Sequence, residues 1–320
     1  MQNNIPKVEL SKIMNNGQQD SYSPHILISG EYNQNFNYVK KEVLDYLKTD
    51  NQLIVIDKYG EYKDICKQLG ADDCTIIEFG NGSFINPLEC VHLSMDDERT
   101  HGDFHLFLSS LFSEFLKRPL TAIELSVLNR ICVLVNAIIN PTFKDLYDAM
   151  IFSNIQNEYP DLLKPALFYS KYDLSIKPQD ISSKIICIDC SKFDNNELYS
   201  MAIHWAYQYV KYQTQNKTKT CILCPYIDEF QASITQIVTL CRRARMLGCT
   251  MLLSTNSLDF ENDDLRMIGN LVNTFIILDC NNNDQNSLKH YFGLSDTVSL
   301  SFEENSGFAF QNGQIFTFPI

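Results

Sequence analysis

The sequence predicts an α/β fold: a mostly parallel sheet with crossover helices, an inserted all-α subdomain and a C-terminal β-hairpin. Three observations carry this. Short apolar runs alternate with longer amphipathic segments, as parallel strands and their crossover helices do. Residues 97–177 have helical spacing and almost no strand pattern. The chain closes on GFAFQNGQIFTFPI, where Asn312-Gly313 joins two alternating runs and marks a hairpin.

The elements follow in order. HILIS (25–29) precedes a helix expected near 36–49, and QLIVID (52–57) precedes one near 61–69. CTIIEF (74–79) is a third strand. In the middle stretch, FHLFLSSLFSEFLKR, TAIELSVLNRICVLVNAI and FKDLYDAMIF read as helices, punctuated by Pro119, Pro141 and Pro160 near their ends. KIICID (184–189) then precedes a helix near 195–214, and TCILCPYID (220–228) precedes one near 232–247. CTMLLST (249–255) and NTFIILD (273–279) complete the series. The boundaries are a polar segment at 1–24, a core at 25–96 and 178–320, and an all-α subdomain at 97–177.

At 320 residues, 45% of them hydrophobic and 20% charged, the chain has the composition of a globular protein able to bury a large core. It contains no uninterrupted apolar run long enough to span a membrane, and MQNNIPKVELSK has no apolar signal region; the expected compartment is the cytoplasm. The net charge of -13 repels phosphate backbones, so strong nucleic-acid binding is not expected. Arg242, Arg243 and Arg245 form the best local basic patch.

The eleven cysteines sit largely in apolar strand runs, as buried hydrophobes do. Cys187-x-x-Cys190 and Cys221-x-x-Cys224 have zinc-like spacing, but residues i and i+3 of a strand point to opposite faces, so neither pair chelates one ion without a bend. The histidines His25, His92, His101, His105, His204 and His290 form no ligand cluster. Trp205, Tyr209 and Tyr212 share one helix face, which suits packing.

Asp228-Glu229 follows an apolar strand. Such a pair can organise Mg²⁺ and polarise an attacking water in P-loop ATPases; equally, Asp228 can cap the next helix. The residues alone leave both readings open, and the order of the surrounding motifs favours the first. Asp57, Gly60, Glu61 and Tyr62 stand before a strand, and Ile85-Asn86-Pro87 after it. Leu120-Thr121 with Glu124, then Pro141-Thr142 with Leu146-Tyr147, open helices of the insertion. Asp228-Glu229, the basic stretch Arg242 to Gly248, Ser254-Thr255-Asn256 and the hairpin beginning Gly307-Phe-Ala-Phe complete the order. This succession, over roughly residues 20–320, resembles the conjugative type IV secretion ATPases, the VirB- and TraE-like motors of the FtsK–HerA branch. The resemblance implies a RecA-like P-loop NTPase core, work within a conjugation or secretion complex, and subunits that assemble.

One motif departs from the pattern. A phosphate-binding loop needs G-x-x-x-x-G-K-[ST]: glycines so that backbone N–H groups close round the phosphates, a lysine to neutralise them and a hydroxyl for Mg²⁺. Here the place reads Ser29-Gly30-Glu31-Tyr32-Asn33-Gln34-Asn35-Phe36-Asn37. Only Gly30 matches; the lysine position falls on Asn35 or Phe36, Asn37 follows without a hydroxyl, and Glu31 adds negative charge. The family's Pro-Glu is Lys58-Tyr59, and Asn256 replaces its glutamine. Arg242 and Arg245 match positions where such motors place arginines that act on a neighbour's nucleotide; they fit equally a solvated helix end. Two readings follow. In the first, the chain is a pseudo-ATPase or very weak ATPase with no bound cofactor. It docks to other subunits of a transfer machine, with an active paralogue among the candidates, and reaches the inner face of the membrane through them. In the second, it is an active motor using ATP and Mg²⁺, with Asp228 holding the metal and Glu229, Asn256 and an arginine carrying the chemistry. A third reading is a decaying gene product of a mobile element.

Overall fold

The apolar runs become strands wherever every residue of the run can be buried, on a sheet covered from both sides. In the computed structural model, β1 (Ile26–Ser29), β2 (Gln52–Asp57), β4 (Ile185–Asp189), β5 (Thr220–Cys224) and β7 (Thr274–Ile277) are buried along their whole length. With β3 (Cys74–Glu78), β6 (Cys249–Thr255), β8 (Ser306–Gln311) and β9 (Gln314–Pro319) they form one sheet in the order β3-β4-β2-β5-β6-β1-β7-β8-β9. The first seven strands in that order run parallel, and β8 and β9 form an antiparallel hairpin on the β7 edge. The structure describes residues 25–40, 52–70, 73–79, 86, 88, 99–138, 141–171, 181, 183–192, 196–213, 220–229, 234–244, 247, 249–258, 263–279, 282–294, 306–311 and 314–319. The segment 1–24, Lys41, Ile85, Pro87, Arg245, Gly248 and the Asn312-Gly313 turn lie outside them.

Strand alternation sends side chains to two apolar clusters. Ile28, Val55, Leu223 and Ile276 face one side, covered by α1 (Tyr32–Tyr38) and α2 (Lys63–Gly70). Leu27, Ile56, Ile222 and Ile277 face the other, which holds α8 (Asn196–Gln213), α9 (Ile234–Ala244), α10 (Asp263–Gly269) and α11 (Asn282–Phe292). The same alternation separates the cysteines: Cys187 and Cys221 belong to the first cluster, Cys190 and Cys224 to the second.

Among the described residues, five helices occupy the middle of the chain: α3 (Arg99–Leu116), α4 (Ala122–Asn136), α5 (Phe143–Phe152), α6 (Ile155–Glu158) and α7 (Pro160–Tyr169). They do not build a separate core. Their buried residues join the second cluster, and α3 packs on α8, where the His204 imidazole stacks on Phe107 at 3.7 Å. Two of the sequence motifs act here as capping boxes. Thr121 accepts from Glu124 N–H while the Glu124 carboxylate accepts from Thr121 N–H, and Thr142 and Asp145 do the same for α5. Arg118 grips the Glu124 carboxylate in a bidentate pair and holds its pKa down at about 2. Asn86, the middle residue of the Ile-Asn-Pro motif, donates to the Pro141 carbonyl just before α5.

Two expected boundaries shift. The first helix begins at Tyr32, not near 36. The strand expected over 220–228 ends at Cys224, because Pro225 offers no N–H to continue a ladder and Tyr226 turns the chain at φ 58°. The helix expected over 232–247 is present at Ile234–Ala244, and the residues at its expected ends, 232–233 and 245–246, lie outside the described ones. Among the described residues, no helix is long and apolar enough to cross a membrane.

Candidate functional site

In an open parallel sheet, ligands bind at the carboxyl ends of the strands. Here that edge carries Gly30 after β1, Thr255 and Asn256 at the end of β6, a short 3₁₀ turn Ile227–Glu229 after β5, Asp57 ending β2, and Asp189 ending β4. The candidate phosphate loop lies at its β1 end.

Only Gly30 and Glu31 separate β1 from α1. Gly30 continues the ladder, its N–H reaching the Thr255 carbonyl at 3.4 Å, while Glu31 is the N-cap and makes no side-chain cap. With no second glycine to let the chain arch outward, it curls at once into helix. Asn35, in the first turn, is fully buried. Its Nδ2 donates to the Gly30 carbonyl at 2.8 Å and to the Thr255 carbonyl at 2.9 Å, stapling α1 to the ends of β1 and β6. Its Oδ1 has no hydrogen-bond partner among the described residues. Phe36 is half-buried, set edge-on to Tyr62 with centroids 5.2 Å apart, and Asn37 is exposed. Of the four predicted loop positions, then, Gly30 and Asn35 are joined by a hydrogen bond, Phe36 packs on α2's approach and Asn37 faces solvent.

Asp228 lies four residues beyond the end of β5. Its Oδ1 accepts from the Asn256 N–H at 3.2 Å, so the structure does bring these two predicted residues together. Because α9 begins at Ile234, Asp228 is not its N-cap. Tyr226, which sets the turn, anchors its N–H on Ser254 Oγ at 3.0 Å and points its hydroxyl at Glu61. The Glu229 backbone is in the 3₁₀ turn; its side chain lies outside the described residues, as does Arg245. Arg242 is exposed in the last turn of α9. Its neighbour Cys241 contacts His25, which precedes β1, so Arg242 sits at the amino edge of the sheet, opposite Asp228.

A second carboxylate group was not singled out from the sequence as a pair. Asp57 and Asp189 are register partners on β2 and β4. Asp57 accepts N–H bonds from Gly60, Glu61 and Tyr62 at 2.8–3.2 Å, capping the approach to α2. Burial, with Asp189 beside it, outweighs these bonds and pushes its pKa up to about 6. Gly60 is required here: its φ is +76°, and a Cβ would stand 3.0 Å from Ser191 Oγ. Lys63 pairs with Glu78 and lies 3.7 Å from Asp189, and Lys192 lies 3.5 Å from Glu78. These cations are thus held on β3 and β4. The sheet order puts β1 four strands from β4, roughly 19 Å at the usual spacing. The signal was present in the sequence: QLIVID and KIICID both end an apolar run on aspartate.

No protein-family model matches the chain, and no curated protein does. Solved structures do. VirB4 of Thermoanaerobacter pseudethanolicus superposes with a TM-score of 0.73 at 18% identity, covering 93% of this chain and 89% of that one. The plasmid coupling protein TrwB, in complex with ADP and Mg²⁺, gives 0.67 at 12% identity over 98% of this chain and 93% of its own. The bacterial conjugative coupling protein TrwB in complex with sulphate gives 0.64 at 10% identity, with the same coverage. This is the fold that the order of the sequence motifs implies, and the chain has the RecA-like P-loop NTPase fold of VirB4 and TrwB.

Proposed function

We propose that this chain is a pseudo-ATPase or very weak ATPase subunit of a conjugation or type IV secretion machine, keeping the ATPase fold to dock with partner subunits. The observation that carries the reading is the direct passage from β1 to α1 with the Asn35 amide closing it. A triphosphate needs converging N–H donors and a cation. At this place two carbonyls converge on an amide that is already donating to both, Glu31 stands beside them, and Lys63 and Lys192 are held on the far strands. Asp228, the Mg²⁺ candidate, already accepts the Asn256 N–H. These residues do not fit a bound Mg·nucleotide, so no catalytic step is derived through one. The likeness to VirB4 and TrwB supports the transfer-machine setting, and an active paralogue in a mixed assembly is the partner we favour.

The reading is tested by soaking crystals with a non-hydrolysable ATP analogue and Mg²⁺. It expects unchanged density for Asn35 and no phosphate near residues 30–37. Ordered phosphates there, with the start of α1 unwound, would establish the active-motor reading instead.

A further inference from the structure

Helices α10 and α11 both stop at the amino edge of the sheet. Gly293, with φ +62°, ends α11 in a Schellman turn, the Leu294 N–H reaching the Lys289 carbonyl at 2.8 Å. Between these helix ends, the start of β7 and the β8–β9 hairpin lies a cavity of about 380 Å³, the size of a small-molecule site. It is at the opposite edge from the candidate phosphate loop: Asn273, on its wall, donates its backbone N–H to the His25 carbonyl ahead of β1.

Two chemistries line this cavity. The first is aromatic. Phe275 and Phe310, register partners on β7 and β8, are its buried rings. Phe292 stacks on Phe310 at 4.4 Å and stands edge-on to Phe275 and Tyr291, with centroids 4.9 and 5.1 Å apart. The walls thus hold rings in both the stacked and the edge-on arrangements that a flat ring prefers. The second chemistry is carboxamide: Asn270, Asn273, Gln311 and Gln314. Their side chains are tied in place by hydroxyls. Gln311 Nε2 donates to Thr274 Oγ1 at 2.9 Å, and that hydroxyl donates to Asn273 Oδ1 at 3.2 Å. On the other wall the Tyr291 hydroxyl donates to Asn270 Oδ1 at 3.2 Å. Among the described lining residues none is charged.

We propose that this cavity binds a small, uncharged heteroaromatic ring that presents acceptor atoms, a carbonyl oxygen or a ring nitrogen, to the Asn270 and Asn273 amino groups. With Oδ1 already accepting in both side chains, their amino groups are the part that serves a ligand, and they can only donate. A pure hydrocarbon would strip water from the carboxamides without replacing its bonds. A phosphate, carboxylate or ammonium would be buried with no counter-charge among the described lining residues. A ligand here ties the C-terminal hairpin to the ends of α10 and α11.

The test is titration calorimetry of the full chain with two uncharged rings. Caffeine has carbonyl and ring-nitrogen acceptors and no N–H; indole, of similar width, has one donor and no such acceptor. Caffeine is expected to bind one-to-one and indole about tenfold more weakly. Asn270→Asp and Asn273→Asp keep the side-chain shape and put a carboxylate oxygen in place of each amino group. Each should weaken caffeine about tenfold. Indole should bind no more weakly, which shows the cavity intact. No binding of caffeine, equal binding of the two rings, or caffeine binding that survives both substitutions overturns the proposal. So does displacement of caffeine by a single-stranded oligothymidylate, whose rings carry carbonyls on a phosphate chain, since it assigns the cavity to nucleic acid. The site lies apart from the phosphate loop, so a failed caffeine titration leaves the pseudo-ATPase reading standing, and ATP turnover would leave the caffeine result standing.

Discussion

Asn35 is the residue on which the most depends. Its amide joins the Gly30 and Thr255 carbonyls out of reach of water. Asn35→Ala leaves both without that donor and should cost about 1–3 kcal/mol, read as a lower urea midpoint with an unchanged slope. Asn35→Lys, which restores the residue type a phosphate loop uses, should also destabilise, because it buries an ammonium without a partner. It should give no thermal shift with Mg·ATP, because α1 would still begin at Tyr32. A clear ATP-dependent shift in that variant would contradict the view that the missing loop, and not the missing lysine alone, closes the site. The loss of glycines and lysine was legible in the sequence. That Asn35 would turn inward and bond two carbonyls was not, because Thr255 lies 220 residues away and the contact exists only once β1 and β6 pair.

Among the elements, the middle helices were the most legible and the turn after β5 the least. The Thr-x-x-Glu and Thr-x-x-Asp boxes are local: the cap and its partner sit three residues apart, so sequence alone places the starts of α4 and α5. Thr142→Ala should therefore cost about 1 kcal/mol in a denaturant titration, with secondary structure retained. The strand expected to run to Asp228 stops at Cys224 because Tyr226 takes a left-handed conformation, held by the Ser254 hydroxyl of the neighbouring strand. A residue other than glycine at positive φ is set by tertiary bonds, and apolar patterning carries no trace of them. The paired ends of β2 and β4 fall between these cases: two similar runs end on aspartate, but only strand order makes Asp57 and Asp189 neighbours.

For the whole molecule, burial of titratable groups sets the response to acid. His25 accepts the Met251 N–H on Nδ1, so Nε2 carries the proton that it donates to the Cys241 carbonyl, and burial lowers its pKa to about 4. Burial lowers that of His204 to about 3. Both fold as neutral rings, so their contribution is complete above the unfolded value of 6.5 and is lost as pH falls below it. Asp57 works the other way: with its pKa raised from 3.8 to about 6, the folded chain takes up its proton first as pH falls. At pH 5 the unfolded chain holds about two protons on the histidines and the folded chain about one on Asp57. From these three groups stability should drop by about 1.4 kcal/mol per pH unit near pH 5, measurable by urea denaturation between pH 7.5 and 4.5. The mostly parallel sheet, the helical insertion and the C-terminal hairpin were all legible at this scale; the strand order and the sharing of one core between the insertion and the sheet were not, since they need contacts such as His204 on Phe107. The most direct measurement is titration calorimetry of the full chain with Mg·ATP, paired with a phosphate-release assay. The closed β1–α1 passage predicts no binding heat and no turnover above background. Micromolar binding, with turnover that Glu229→Gln abolishes, would contradict it.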